Sequence, residues 1–109
     1  MGLLETDDAG LRLLVHEHPK AIAMFTADHC ATCAQLRPIF ELFATNKAYA
    51  GITFLHLNAN QNPVAKQSLQ QQNAPFFVSY DQGRLLHCDT LHTEQQVRAM
   101  LHALHQHAY

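Results

Sequence analysis

The sequence predicts an α/β domain in which a central mixed β-sheet is flanked by helices on both faces. Three observations point there. Short apolar runs alternate along the chain with segments of helical periodicity; two of those runs, 21–26 and 52–58, are apolar on both faces; and Asp81-Gln82-Gly83 separates two strand-like segments that return on each other as a hairpin.

The first helix starts where Thr6, followed by Asp7 and Asp8, supplies a capping oxygen and negative charge. Leu11, Leu14, Val15 and His18 then recur at helical spacing, and Pro19 ends the pattern. Ala21 to Thr26 is short, apolar and bounded by turn residues, which predicts a central strand buried on both faces. A second helix is expected from Ala31 to about Lys47 on the spacing of Leu36, Ile39, Phe40 and Phe43, with Pro38 removing a backbone donor inside it and bending it.

Ile52 to Asn58 reads as a second interior strand. Asn62 caps a helix with Pro63 at its first position, and Gln70-Gln71-Gln72-Asn73 closes it. Phe76 to Tyr80 and Arg84 to Cys88 form the hairpin strands. Thr93 with Gln96 matches a capping box, ahead of a closing helix whose apolar stripe is Val97, Met100, Leu101 and Leu104. Gly2 to Glu5 adds a short edge strand. Strands separated by helices imply right-handed crossovers.

At 109 residues, 48% hydrophobic and 15% charged, the chain is expected to form one domain over residues 1–109 with a sizeable core, and disorder is excluded. Seven Lys plus Arg against nine Asp plus Glu give a net charge of −2, and no basic run serves a phosphate backbone, so nucleic acid is not an expected partner. The longest apolar stretch, Ala21 to Phe25, is far short of a membrane span, and Met1 to Gly10 lacks the pattern of a secretion signal. No membrane partner, a cytoplasmic location and a monomeric state are the expectations. Nine histidines make the net charge sensitive to pH just below neutrality.

The chemistry is concentrated at Cys30-Ala31-Thr32-Cys33, which follows a buried strand and opens a helix, so that both sulfurs lie in the first turn and can meet. The unpaired N–H groups and positive dipole end of that helix favour a thiolate at Cys30, expected to be the more exposed of the two. Cys30 would attack a substrate disulfide and Cys33 would resolve the mixed disulfide by closing the internal one. Two other readings stay open: half of a zinc site, for which no second ligand pair is evident, and a pair of inert cysteines. Cys88 reads as a packed small side chain, with a regulatory or dimerising thiol as the alternative. His102 and His105 are spaced to share a surface metal ion, although solvating a helix end is their simpler role.

Strand, Cys-x-x-Cys, a helix with Pro38 five residues after Cys33, and Pro75 ahead of a hairpin together resemble the thioredoxin family over most of the chain. Asn58 through Pro63 and Gly83 add to the resemblance. It implies a thioredoxin-like fold and a thiol-disulfide oxidoreductase, with Cys30 and Cys33 catalytic and no cofactor. The implied partners are protein disulfides or small oxidised thiols, together with a recycling reductase. Pro75 is implied to be a cis proline, and Ala74 with Pro75 to offer backbone groups that pair with an extended substrate.

The departures from the family pattern are as informative. His29 replaces the tryptophan before the first cysteine, Ala31-Thr32 replaces Gly-Pro, Met24 stands where the family has a buried acid, and His56 where it has a lysine. His29 is therefore a candidate substrate-binding residue and, when protonated, favours the Cys30 thiolate. His56 either takes over proton transfer at Cys33 or is an ordinary strand histidine held by hydrogen bonds. A protein-binding module that has kept the cysteines while losing the acid and the aromatic grip is the rival function, and fold alone does not separate the two.

Overall fold

The computed structural model describes residues 2–58 and 75–108. In chain order these form β1 (Leu4–Glu5), α1 (Asp8–Glu17), β2 (Lys20–Thr26), α2 (Ala31–Ala44), a 3-10 turn (Lys47–Tyr49), β3 (Thr53–Asn58), β4 (Phe76–Asp81), β5 (Arg84–Thr90) and α3 (Glu94–Gln106). The strands make one sheet in the order β1-β3-β2-β4-β5. β1, β3 and β2 run parallel, while β4 is antiparallel to both β2 and β5. The sheet is therefore mixed, as expected, and β2 occupies its centre.

Side-chain alternation along β2 divides the interior into two layers. Ile22 and Met24 point to one face, where Leu36, Phe40 and Phe43 of α2 and Val97, Met100, Leu101 and Leu104 of α3 close over them. Ala21, Ala23 and Phe25 point to the other face and pack with Val15, Leu11 and Leu14 of α1. All of β2 from Ala21 to Thr26 is buried, which explains why its sequence is apolar without alternating. Phe40 ties the main layer together, its ring meeting Phe54 at 5.1 Å and Phe77 at 5.5 Å edge-on. Fully burying a side chain of this kind contributes about 1.5–3 kcal/mol.

Several expectations are refined. Asp7, rather than Thr6, caps α1, its Oδ1 accepting the Gly10 N–H at 2.7 Å. α2 ends at Ala44 instead of near Lys47, because the Thr45 N–H turns back to Leu42 and Asn46 caps a separate 3-10 turn through the Ala48 N–H. The helix expected from Asn62 to Asn73 lies outside the described residues. The capping box of α3 is present, Thr93 Oγ1 accepting from Gln96 N while Gln96 Oε1 accepts from Thr93 N.

The hairpin turns on Gln82 and Gly83, both at positive φ (55° and 79°), the geometry that two-residue hairpin loops require. Its outer strand corrects one expectation: Cys88 is exposed, not packed. β5 is the sheet edge, and its residues 84–90 are mostly uncovered.

Candidate active site

β2 delivers the chain to the site. After Thr26, the loop Ala27-Asp28-His29 reverses into α2, whose N-cap is Cys30 and whose third helical residue is Cys33. The two cysteines are bonded as a disulfide, with Cα atoms 5.2 Å apart. Cys30 Sγ also accepts the Cys33 backbone N–H at 3.1 Å. The sulfur thus takes the place of the oxygen that usually caps a helix, at the positive end of the dipole, and no acidic side chain in the first turn offsets that field. A thiolate at Cys30 would keep the same donor after reduction. Cys33 is buried at 5% exposure while Cys30 is half-buried, the order expected from the sequence.

His29 sits just ahead of Cys30, exposed and in the left-handed region at φ 59°. Together with Thr26, both cysteines, Arg37 and His56 it lines one hollow. Pro75 is fully buried ahead of β4 and is not among the residues lining that hollow; its carbonyl accepts the Leu91 N–H at 3.3 Å. Ala74, and with it the peptide bond to Pro75, lies outside the described residues.

His56 reaches the hollow from β3, in register with Met24 of β2 and only 4% exposed. Its Nε2 is 2.7 Å from Thr26 Oγ1 and its Nδ1 is 2.6 Å from Glu5 Oε1. Arg37 Nη1 lies 3.1 Å from His56 Nδ1 and 3.4 Å from Nε2, while Nη2 donates to Glu5 Oε2 at 2.8 Å and Nε donates to Glu41 Oε1 at 3.1 Å. Burial alone would lower the Arg37 pKa, but the hydrogen bonds and charges of Glu41 and Glu5 outweigh it and raise the pKa, so the guanidinium is a fixed cation.

Met24 packs into the core at this level of the sheet, and polar groups approach the site from β1, β2, β3 and α2. Three of these neighbours, Glu5, Thr26 and Arg37, were not singled out from the sequence. Arg37 had a signal: it is four residues after Cys33 and therefore on the same helix face. Glu5 had none, because its place depends on the pairing of β1 with β3. Among the described residues, no group of three or more His, Cys, Asp or Glu is arranged to hold a metal ion.

Comparison with known proteins agrees with this architecture. A family model described as Thioredoxin matches residues 4–106. Among solved structures, the chain is similar to thioredoxin f from spinach chloroplast (TM-score 0.85, 18% identity, covering 96% of this chain and 95% of that one). It is likewise similar to thioredoxin from Fasciola hepatica (TM-score 0.81, 23% identity, covering 95% and 99%). A third similar chain comes from a complex of ferredoxin:thioredoxin reductase and thioredoxin f2 (TM-score 0.82, 15% identity, covering 96% of each). No curated protein matches the sequence. With the family model spanning nearly the whole chain, and the bonded Cys30–Cys33 pair at the head of α2, the protein belongs to the thioredoxin family.

Proposed function

We propose that the protein is a thiol-disulfide oxidoreductase in which Cys30 is the nucleophile and Cys33 the resolving thiol. The observation that carries this reading is the placement of a half-exposed Cys30 at a helix N-cap, its sulfur receiving a backbone N–H and bonded to a buried Cys33. In the reduced form the Cys30 thiolate attacks one sulfur of a substrate disulfide. That step forms a mixed disulfide and releases the first substrate thiolate. Cys33 then loses its proton and attacks Cys30 Sγ, which closes the Cys30–Cys33 bond and releases the second thiolate. Two electrons pass to the substrate, and two protons complete its thiols.

Protein disulfides or small oxidised thiols are the substrates in this reading. They reach Cys30 past His29. A separate reductase returns the pair to the thiol form, in keeping with the reductase named in the complex of the similar thioredoxin f2. We place this cycle in the cytoplasm, with the protein acting as a monomer.

The test is turnover of a protein disulfide with dithiothreitol as electron source. Wild type is expected to turn over, pre-reduced Cys33→Ser freed of dithiothreitol to trap a mixed disulfide with substrate at Cys30, and Cys30→Ser to do neither. Turnover that survives Cys30→Ser, or a wild type without turnover, contradicts the proposal.

A further inference from the structure

We propose that Glu5 and His56 form a proton relay in which His56 takes the proton of Cys33 during resolution and Glu5 is the positioning residue. This inference rests on the oxidoreductase reading and assigns the base which that reading leaves unnamed. The attacking species in disulfide exchange is a thiolate, so the Cys33 thiol must release a proton before it can close the internal bond. Cys33 is buried, and a group inside the site is needed to accept that proton.

The hollow offers few acceptors. Arg37 is a fixed cation, and Thr26 carries a hydroxyl that can pass a proton on but not hold one. His29 stands exposed on the loop, on the Cys30 side. Among the described residues lining the hollow, His56 is the buried acceptor. The shortest contact assigns the tautomer: an ionised Glu5 carboxylate can only accept, so at 2.6 Å Nδ1 carries the hydrogen and donates it to Glu5 Oε1, and Arg37 Nη1, 3.1 Å from Nδ1 and 3.4 Å from Nε2, has only Nε2 to donate to. Nε2 is left with a lone pair on the Thr26 side, where the Oγ1 hydroxyl donates to it at 2.7 Å. The Cys33 proton crosses the hollow that Cys33, Thr26 and His56 line together and ends on Nε2, and the charge formed on the imidazole faces the Glu5 carboxylate.

This is the pattern of a nucleophile, a base and a third group that orients the base. The orienting group is delivered by β1, a strand of two residues whose Glu5 pairs in register with His56, while the Thr6 N–H donates to the His56 carbonyl at 2.9 Å. Among the described residues, Glu5 from β1 and Arg37 from α2 are the charged groups facing the ring, with Glu41 behind Arg37; from β2 it meets Thr26 and, in register, Met24. Arg37 Nη2 holds the second oxygen of Glu5 and so keeps the carboxylate on the ring.

The relay is tested by stopped-flow reaction of the reduced full chain with 5,5′-dithiobis(2-nitrobenzoate), with Cys88→Ser in every protein because Cys88 is an exposed third thiol. Attack by Cys30 releases one thionitrobenzoate, and attack by Cys33 on the mixed disulfide releases a second, so the two steps read as separate phases. The second phase is expected to slow as pH falls, because an imidazole that already holds a proton at Nε2 cannot accept another. His56→Gln is expected to slow that phase at least tenfold and to displace its pH dependence upward, to where the Cys33 thiol ionises without a base, leaving the first phase unchanged. Glu5→Gln, at a more exposed side chain, is expected to slow the second phase less and to displace its pH dependence, with Glu5→Asp restoring part of the loss. A wild type that releases two equivalents while His56→Gln keeps the same second-phase rate and pH dependence overturns the relay alone. A wild type that releases one equivalent overturns the oxidoreductase reading and the relay with it.

Discussion

Met24 and His56 face each other in register across β2 and β3, with Met24 packed into the α2 and α3 layer of the core and His56 bonded to groups around the disulfide. One apolar and one polar side chain thus share the floor beneath α2. Met24 acts there only through packing. Met24→Leu, which conserves volume, is expected to cost less than about 1.5 kcal/mol and to leave disulfide turnover unchanged. Chemical denaturation and a turnover assay check the two halves of that statement, and slowed turnover in a stable variant would give Met24 a chemical role.

His29 contributes the only ring able to carry positive charge on the loop entering Cys30. Replacing it removes that charge from the neighbourhood of the thiolate. His29→Trp is expected to lower the midpoint potential by an amount on the order of 30 mV, equivalent to about tenfold in the equilibrium constant. Equilibration against glutathione measures it, and an unchanged midpoint removes His29 from the account.

Tyr80 titrates late, its pKa raised from about 10 to about 12 by burial first and by the nearby Cys88 second. The unfolded chain therefore loses the phenolic proton before the native one does. Stability from this group is fully present below about pH 10 and is lost as pH rises toward about 12, each pKa unit being worth about 1.4 kcal/mol. Urea melts across that window should show the decline in wild type and a flatter profile in Tyr80→Phe.

Much of this arrangement is legible in the sequence, and the reasons are physical. β2 and β3 announce themselves because a strand buried on both faces has no polar alternation. The closing helix is marked by its reciprocal Thr93–Gln96 cap, and the hairpin by Asp81-Gln82-Gly83. The end of α2 is harder to read, because no glycine or proline stops it and the termination comes from hydrogen bonds around Thr45 and Asn46. Thr6 and Asp7 are both good caps, and only geometry separates them. Cys88 has the composition of a packed side chain, but its position on an uncovered edge strand leaves it exposed. The partnership of Glu5 with His56 joins residues 51 positions apart, through a register that no local pattern encodes.

Gly83 sits at φ 79° in the hairpin, and a Cβ there would lie 2.7 Å from His16 Nδ1. The exposed imidazole can swing away at little cost, whereas the left-handed backbone cannot be relieved without unwinding the turn. Gly83→Ala is therefore expected to lose about 1 kcal/mol, both in wild type and in a His16→Ala background. Full recovery in the double variant would show that the side-chain contact, not the backbone, sets the cost.

The central claim is that Cys30 and Cys33 form a reversible redox couple, and equilibrium titration of the full chain in glutathione and dithiothreitol buffers tests it most directly. Thiols are trapped by alkylation at each potential and counted by mass at Cys30, Cys33 and Cys88. The account predicts one two-electron transition confined to Cys30 and Cys33, with Cys88 alkylated throughout. A pair that forms no internal disulfide anywhere in that range, or forms one only after a bound metal is stripped, would contradict it.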